Sequence, residues 1–113
     1  MSKLHQESCT LCRSDTPTLD DIAVQTGLQF VKGWRHVQGG IQKEFTFKDF
    51  VRARAFFNEV ADISEREQHH PDMSIYRWKN VRLFLTTYAA GGLTRNDFIV
   101  AAKIDALHEL FFE

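Results

Sequence analysis

The sequence predicts an α+β domain in which a four-stranded antiparallel sheet carries its helices on one face, in the order α-β-β-α-β-β-α. Three patterns predict it: a Gly-Gly pair at 39–40 between two strand-like runs, apolar residues at helical spacing from Lys48 to about Gln68, and alternation from Val81 to Tyr88. Strands joined by tight turns pair antiparallel, and amphipathic helices bury their apolar stripe against one face of such a sheet.

Length and composition restrict the class of protein. The chain has 113 residues, 43% of them hydrophobic, and a formal net charge of −1, which predicts one globular domain and argues against disorder and against binding through nucleic-acid phosphates. No run approaches the ~20 apolar residues that a membrane span requires. The polar start resembles no secretory signal, so we expect a cytoplasmic protein. We expect a flexible leader over residues 1–17 and a single domain over 18–113.

The first helix and the first hairpin follow from their end signals. Thr18 is expected to cap a short helix that has acidic residues in its first turn and ends near Gly27. The runs 34–38 and 41–47 are expected to be strands, with the glycines between them supplying the positive φ of a tight turn. Phe45 and Phe47 then share one face of the sheet.

The second helix is predicted from Lys48 to about Gln68, and Pro71 is expected to stop it. Its apolar side is predicted from residues at helical spacing: Phe50, Ala53, Phe56, Phe57, Val60, Ala61, Ile63 and Ser64. A second strand pair should follow over 73–78 and 81–88. Thr94 is expected to cap the last helix, with Asp97 completing a capping box and an apolar stripe of Val100, Ile104, Leu107 and Phe111. The sheet should keep a free edge that invites pairing between subunits.

Cys9 and Cys12 form a C-x-x-C in the polar leader. With no second cysteine pair, a four-cysteine zinc site within one chain is excluded. A surface metal site with His5, an adventitious disulfide and two reduced thiols remain as alternatives.

The pattern with most chemical content is the run from Glu65 to Asp72, which contains the adjacent imidazoles His69 and His70. Glu65 precedes His69 by four residues, so on a helix it would orient that imidazole and raise its pKa. Three interpretations compete: general acid–base catalysis, a metal site, and two solvated histidines at a helix end. Adjacent histidines on regular structure point apart, which weighs against the metal.

Several ordered motifs resemble the pterin-4a-carbinolamine dehydratase family over about residues 9–107. They are Glu65-x-x-x-His69-His70-Pro71-Asp72, Trp78, Val81, Thr86-Thr87, Gly91-Gly92-Leu93-Thr94 and Asp97, with Gly33-Trp34, Phe45-Thr-Phe47 and Ala101-Ala-Lys-Ile-Asp105. The resemblance implies dehydration of 4a-hydroxytetrahydropterin to quinonoid dihydropterin, which recycles a tetrahydropterin cofactor, by histidine acid–base chemistry. It implies no metal and no organic cofactor, a pterin as the bound substrate, and a homodimer or homotetramer. An alternative is a weakly active or non-catalytic pterin-binding scaffold of the same fold, linked to molybdenum-cofactor metabolism.

The resemblance also implies site residues. His69, His70 and Tyr88 would be catalytic, Glu65 would orient an imidazole, and the substrate would be bound by Gln68, Pro71, Asp72, Thr86, Thr87, Ala89 and Trp34. Tyr88 occupies the position where the family usually has a third histidine. A phenol with an ordinary pKa near ~10 donates a hydrogen bond but shuttles protons poorly at neutrality. Trp34 would either form a wall of the pterin pocket or belong to a Phe-rich core.

Overall fold

The computed structural model describes residues 3–112. Within them a short 3-10 helix spans Leu4–Gln6, the α-helices are α1 (Asp21–Leu28), α2 (Phe50–Glu67) and α3 (Arg95–Phe111), and the strands are β1 (Arg35–Val37), β2 (Gly40–Thr46), β3 (Asp72–Tyr76) and β4 (Asn80–Leu85). The element order confirms the predicted α-β-β-α-β-β-α. None of the helices formed by these residues has the length and apolar character that crossing a bilayer requires.

The sheet has the strand order β1-β2-β4-β3, and every neighbouring pair is antiparallel. Along β4, Val81, Leu83 and Leu85 are fully buried, whereas Arg82 between them is exposed. This alternation places the helices on one face of the sheet, as predicted. Phe56 of α2 joins the same core and packs against the rings of Phe45 and Phe47.

The first hairpin turns one residue earlier than predicted. Val37 pairs with Gly40, so Gln38 and Gly39 form the loop, with φ angles of +48° and +81°. Gly40 is instead the first residue of β2, where an added Cβ would lie 2.4 Å from Cζ of Phe84. Gly39 therefore supplies the turn conformation, and Gly40 supplies the space for a neighbouring ring.

The first two helices are capped by aspartates rather than at the predicted starts. Asp20 accepts a hydrogen bond from the Ala23 amide at 2.8 Å, which corrects the predicted Thr18 cap. Asp49 accepts from the Arg52 amide at 3.0 Å, so α2 begins at Phe50 and not at Lys48. In both cases the carboxylate satisfies an amide of the first turn that has no partner within the helix.

The buried side of α2 differs in part from the predicted stripe. Its buried members are Ala53, Phe56, Val60, Ile63 and Ser64. Phe50, in the first turn, is 45% exposed. The helix ends at Glu67, followed by Gln68 in the left-handed conformation with φ +52°. This C-cap, and not Pro71, ends the helix, so His69 and His70 lie beyond it.

Both strands of the second pair end earlier than their patterns suggested, β4 at Leu85, whereas the last helix reaches Phe111. β3 stops at Tyr76, and Trp78 lies in the following turn with φ +56° and 64% of its surface exposed. The predicted capping box of α3 is confirmed, since Asp97 accepts from the Thr94 amide at 2.9 Å. Val100 and Ile104 are buried as predicted, but Phe111 is 75% exposed because the helix extends beyond the core.

The N-terminal segment, expected as a flexible leader, packs along α3 where it is described. Leu4 is buried, and the carbonyl of His5 accepts a hydrogen bond from Lys103 Nζ at 2.8 Å. Arg95 forms an ion pair with Glu7 at 2.5 Å. These contacts fix the course of the chain along α3 ahead of the two cysteines.

Candidate active site

A cleft of about 540 Å³ lies between the turn after α2 and the segment after β4. It brings together seven of the residues that the sequence predicted for the site: Gln68, His69, His70, Thr86, Thr87, Tyr88 and Ala89. The left-handed Gln68 turns the chain away from α2, and the two threonines directly follow the end of β4. These segments are far apart in sequence, and they come together because the end of α2 and the end of β4 lie at the same edge of the domain.

His69 is held by a buried carboxylate. Its Nε2 lies 2.6 Å from Oδ1 of Asp97, and the His69 and Asp97 side chains are 9% and 0% exposed. The backbone amide of His69 donates to the carbonyl of Ser64 at 3.1 Å, which fixes the backbone position from which the imidazole extends. Because a carboxylate only accepts, Nε2 carries the proton, and Nδ1 is the ring atom left for other chemistry.

Asp97 is itself fixed by its second oxygen. Oδ2 accepts from the Thr87 hydroxyl at 2.8 Å and from the Thr94 amide at 2.9 Å. The Thr87 and Thr94 hydroxyls are also 2.8 Å apart. The carboxylate that caps α3 therefore also orients the imidazole, and Thr87 acts in this network through its hydroxyl.

His70 has a different environment. Its Nε2 lies 2.5 Å from Oε2 of Glu65, and the His70 and Glu65 side chains are 55% and 72% exposed. The sequence predicted that Glu65 would orient His69, on the assumption that the helix continued. Since α2 ends at Glu67, the carboxylate meets His70 instead. The pair is too exposed to contribute much stability, but it leaves a carboxylate-paired imidazole accessible at the cleft.

Tyr88 is tied to β3. Its hydroxyl donates to Oδ2 of Asp72 at 2.6 Å, and 66% of the residue is exposed. The hydrogen bond to the carboxylate, together with its negative charge, raises the pKa of Tyr88 above its usual value. The phenol proton is therefore held in the hydrogen bond to Asp72. The aromatic ring is the part of Tyr88 that is left to contact a ligand in the cleft.

Besides Glu65, three predicted residues do not line the cleft. Trp34 is buried in the core, where its Nε1 donates to Oδ1 of Asp105 at 3.0 Å. Pro71 is buried beside His70, and Asp72 reaches the site through its bond to Tyr88. Of the two alternatives for Trp34, the core position is the one observed.

Sequence reasoning missed the second function of Asp97 and one whole wall of the cleft. Asp97 was identified as a capping residue, and the spacing of a capping box says nothing about its other oxygen. The missed wall consists of residues 9–12 and Asn96, together with Arg66 and Glu67. The C-x-x-C was the available signal, but nothing in its spacing connects it to His69.

Among residues 3–112, no group of three or more His, Cys, Asp or Glu side chains is arranged to hold a metal ion. Cys9 and Cys12 are free thiols. Burial, reinforced by the Glu67 carboxylate, raises the pKa of Cys9 to about 12. This thiol is therefore protonated and unreactive at neutral pH.

The structure is that of a small α+β protein with two adjacent imidazoles in one cleft. The sequence model of the pterin 4 alpha carbinolamine dehydratase family matches residues 17–107, and the chain belongs to this family. A Marinobacter nauticus relative is 45% identical over 112 residues, covering 96% of this chain and all of that one. The Arabidopsis thaliana pterin-4-alpha-carbinolamine dehydratase 2, mitochondrial, is 38% identical over 95% of this chain and 60% of its own.

Solved structures share the fold. A transcriptional coactivator/pterin dehydratase from Brucella melitensis superposes with a TM-score of 0.76 at 29% identity, over 80% of this chain and 98% of that one. A pterin dehydratase-like protein described as a RuBisCO assembly factor in the alpha-carboxysome has a TM-score of 0.57 at 27% identity, over 69% of this chain and 92% of its own.

Proposed function

We propose that this protein dehydrates 4a-hydroxytetrahydropterins to quinonoid dihydropterins and so serves the recycling of a tetrahydropterin cofactor. The observation that carries the proposal is the pair of adjacent imidazoles in one cleft, each held by its own carboxylate. The reaction needs two proton transfers at neighbouring atoms of one ring, and imidazole is the side chain most often used for general acid–base catalysis, so two of them suit both transfers.

The two histidines take different roles in this proposal. His70, paired with Glu65 at the exposed side, gives a proton to the 4a-hydroxyl as the C4a–O bond breaks and water leaves. His69 accepts the N5 proton at Nδ1 while Asp97 holds Nε2 and stabilises the imidazolium that forms. The electron pair of the N5–H bond forms the C4a=N5 double bond, so atoms and charge balance. Solvent returns the proton from His69 to His70.

The remaining cleft residues would bind the substrate. Gln68, Thr86 and Ala89 line the cleft beside the imidazoles, and the Tyr88 ring offers an aromatic surface to a planar pterin. Thr87 contributes through its hydrogen bond to Asp97. No catalytic step in this proposal requires a metal or organic cofactor. A cytoplasmic location stays a prediction, and the Arabidopsis relative is named as mitochondrial.

The test is a dehydration assay. A 4a-hydroxytetrahydropterin is generated chemically, and its conversion to the quinonoid dihydropterin is followed by absorbance with and without purified protein. We expect acceleration over the spontaneous rate that scales with protein concentration. A rate equal to the spontaneous one at micromolar protein would refute the enzyme proposal.

A non-catalytic scaffold is the second candidate. Leu110 and Phe111, at the end of α3, are 74% and 75% exposed and would provide an apolar contact between chains. A structural neighbour with this fold is described as a RuBisCO assembly factor, which supports an assembly role as an alternative. Light scattering tests the proposed homodimer or homotetramer, and pterin binding without accelerated dehydration would favour this candidate, including one linked to molybdenum-cofactor metabolism.

A further inference from the structure

Residues 9–12, here called the N-terminal strap, form a wall of the cleft that holds His69 and His70. The strap is anchored at two points. The Cys9 amide donates to Oε1 of Glu67 at 2.8 Å, and Thr10 exchanges two hydrogen bonds with the side chain of Asn96. The C-x-x-C motif thus lies against the functional cleft.

Asn96 is the stronger of the two anchors. Its Oδ1 accepts from the Thr10 amide at 3.0 Å, and its Nδ2 donates to the Thr10 carbonyl at 2.6 Å. The side-chain amide therefore pairs with the strap as a neighbouring β-strand would, and Asn96 is only 4% exposed. Asn96 directly precedes Asp97, so the first turn of α3 fixes both the strap and His69.

Glu67 and the second cysteine complete the attachment. The Glu67 side chain is 13% exposed, and its Oε2 lies 3.7 Å from Lys103 Nζ. The negative charge of the carboxylate that holds Cys9 is therefore balanced by a lysine. Cys12 Sγ accepts from Asn96 Nδ2 at 3.2 Å and lies 3.8 Å from the Thr94 hydroxyl. Cys12 is thus held beside Asn96 at the cleft.

Leu11 lies between these anchored neighbours and lines the cleft, yet it is 81% exposed. An apolar side chain on a fixed backbone loses little freedom when a ligand covers it, and the covering removes apolar surface from water. A planar heterocycle in the cleft would provide such a cover. Leu11 takes no part in the proposed proton transfers.

We propose that the N-terminal strap is a substrate-contacting wall, with Leu11 packing on the bound pterin and Asn96 as the positioning residue that holds the strap in place. The inference rests on the proposed function in that the ligand is a pterin. It gives the C-x-x-C segment a role in substrate affinity.

The kinetic test compares Leu11→Gln with Ile22→Gln. Ile22, on α1, is 78% exposed and does not line the cleft, so the two substitutions are matched. In the dehydration assay we expect KM to rise about tenfold for Leu11→Gln with kcat within about twofold, and neither constant to change for Ile22→Gln. An unchanged KM for Leu11→Gln, or an equal rise for Ile22→Gln, would overturn the proposal.

A second test needs no turnover. Iodoacetamide labelling of Cys12, followed by mass spectrometry, is measured with and without saturating 7,8-dihydrobiopterin, and Cys9 serves as the slow internal reference. We expect the ligand to slow Cys12 labelling at least about fivefold. Equal labelling, while quenching of tryptophan fluorescence reports that the dihydropterin is bound, would overturn the strap proposal alone. Absence of both binding and turnover would refute the proposed function with it.

Asn96→Ala tests the positioning role. We expect ligand-free Cys12 to label faster in this variant, ligand protection to be lost, and KM to rise with kcat within about twofold. A loss of kcat with Cys12 protection intact would contradict a role through the strap. The circular-dichroism melting curve establishes that the variant is folded.

Discussion

His69 and Asp97 are separated by 28 residues in sequence, yet Nε2 of His69 lies 2.6 Å from Oδ1 of Asp97 in the interior of the domain. The other oxygen of the same carboxylate accepts the Thr94 amide and so caps α3. One residue thus links the start of a helix to the orientation of a proposed proton acceptor. A substitution that spares the cap should therefore affect the chemistry more than the fold.

Asp97→Asn tests this linkage. The amide keeps the size of the side chain and one acceptor oxygen, but it no longer carries the negative charge that stabilises the His69 imidazolium. We expect kcat for dehydration to fall by about a hundredfold, in the range that general acid–base groups contribute. Asp62→Asn, an exposed position on α2, should leave kcat unchanged. A kcat of Asp97→Asn within twofold of the parent would contradict the role of Asp97.

His70→Ala should abolish acceleration over the spontaneous rate, because the proposed proton donor to the leaving hydroxyl is removed. His36→Ala is the control, since His36 is exposed on the edge strand β1 and lies outside the cleft. Added imidazole should restore part of the activity to His70→Ala and none to a heat-unfolded sample. The measurement is the initial rate of dehydration at pH 7. Residual activity of His70→Ala near that of His36→Ala would assign the proton donor elsewhere.

The sequence predicted the fold well because its strongest signals are local. Alternation over 81–88 predicts that every second residue is buried, and the Thr94–Asp97 spacing predicts a capping box. Both predictions depend on near neighbours in the chain, and the structure confirms both. The partner of His69 could not be predicted, because it depends on where α2 ends. A left-handed Gln68 changes the direction of the chain, and non-glycine residues adopt that conformation without a sequence signal. The strap depends on contacts 86 residues apart, which no local pattern reports.

Asp72→Asn should lower the pKa of Tyr88 towards its ordinary value. In the parent protein the hydrogen bond to the Asp72 carboxylate and its charge favour the neutral phenol, which raises the pKa. A neutral amide removes the charge and weakens the acceptor. The chain has two tyrosines, and the pKa of Tyr76 is raised by its own hydrogen bond to Glu44, so it serves as an internal reference. Absorbance at the phenolate band during alkaline titration should show one tyrosine shifting down and one unchanged. Two unchanged transitions would refute the Asp72–Tyr88 contact in solution.

Gly39→Ala and Gly40→Ala should destabilise the domain for different reasons. At Gly40 a Cβ would meet Phe84 Cζ at 2.4 Å and the Leu85 carbonyl oxygen at 2.6 Å, and the backbone cannot move without breaking the sheet. We expect a loss of about 2–3 kcal/mol in the free energy of unfolding. At Gly39 nothing lies within 4 Å, so only the positive φ opposes a side chain, and the loss should be about 1 kcal/mol. Urea denaturation measures both losses. An equal loss for the two variants would indicate that the turn conformation, and not the Phe84 contact, controls stability here.

Tyr88→His should increase kcat. The parent phenol donates its proton to Asp72 and, with a raised pKa, exchanges protons slowly at neutrality. An imidazole at this position could keep a hydrogen bond to Asp72 and would change its charge near pH 7, which adds a third proton-transfer group to the cleft. We expect kcat to rise about fivefold or more at pH 7. Tyr76→His is the matched control, since the Tyr76 hydroxyl also donates to a carboxylate, that of Glu44, but lies outside the cleft. It should leave kcat unchanged. A Tyr88→His variant that binds dihydropterin normally and turns over no faster would mean that His69 and His70 suffice, and that the ring of Tyr88 serves binding alone.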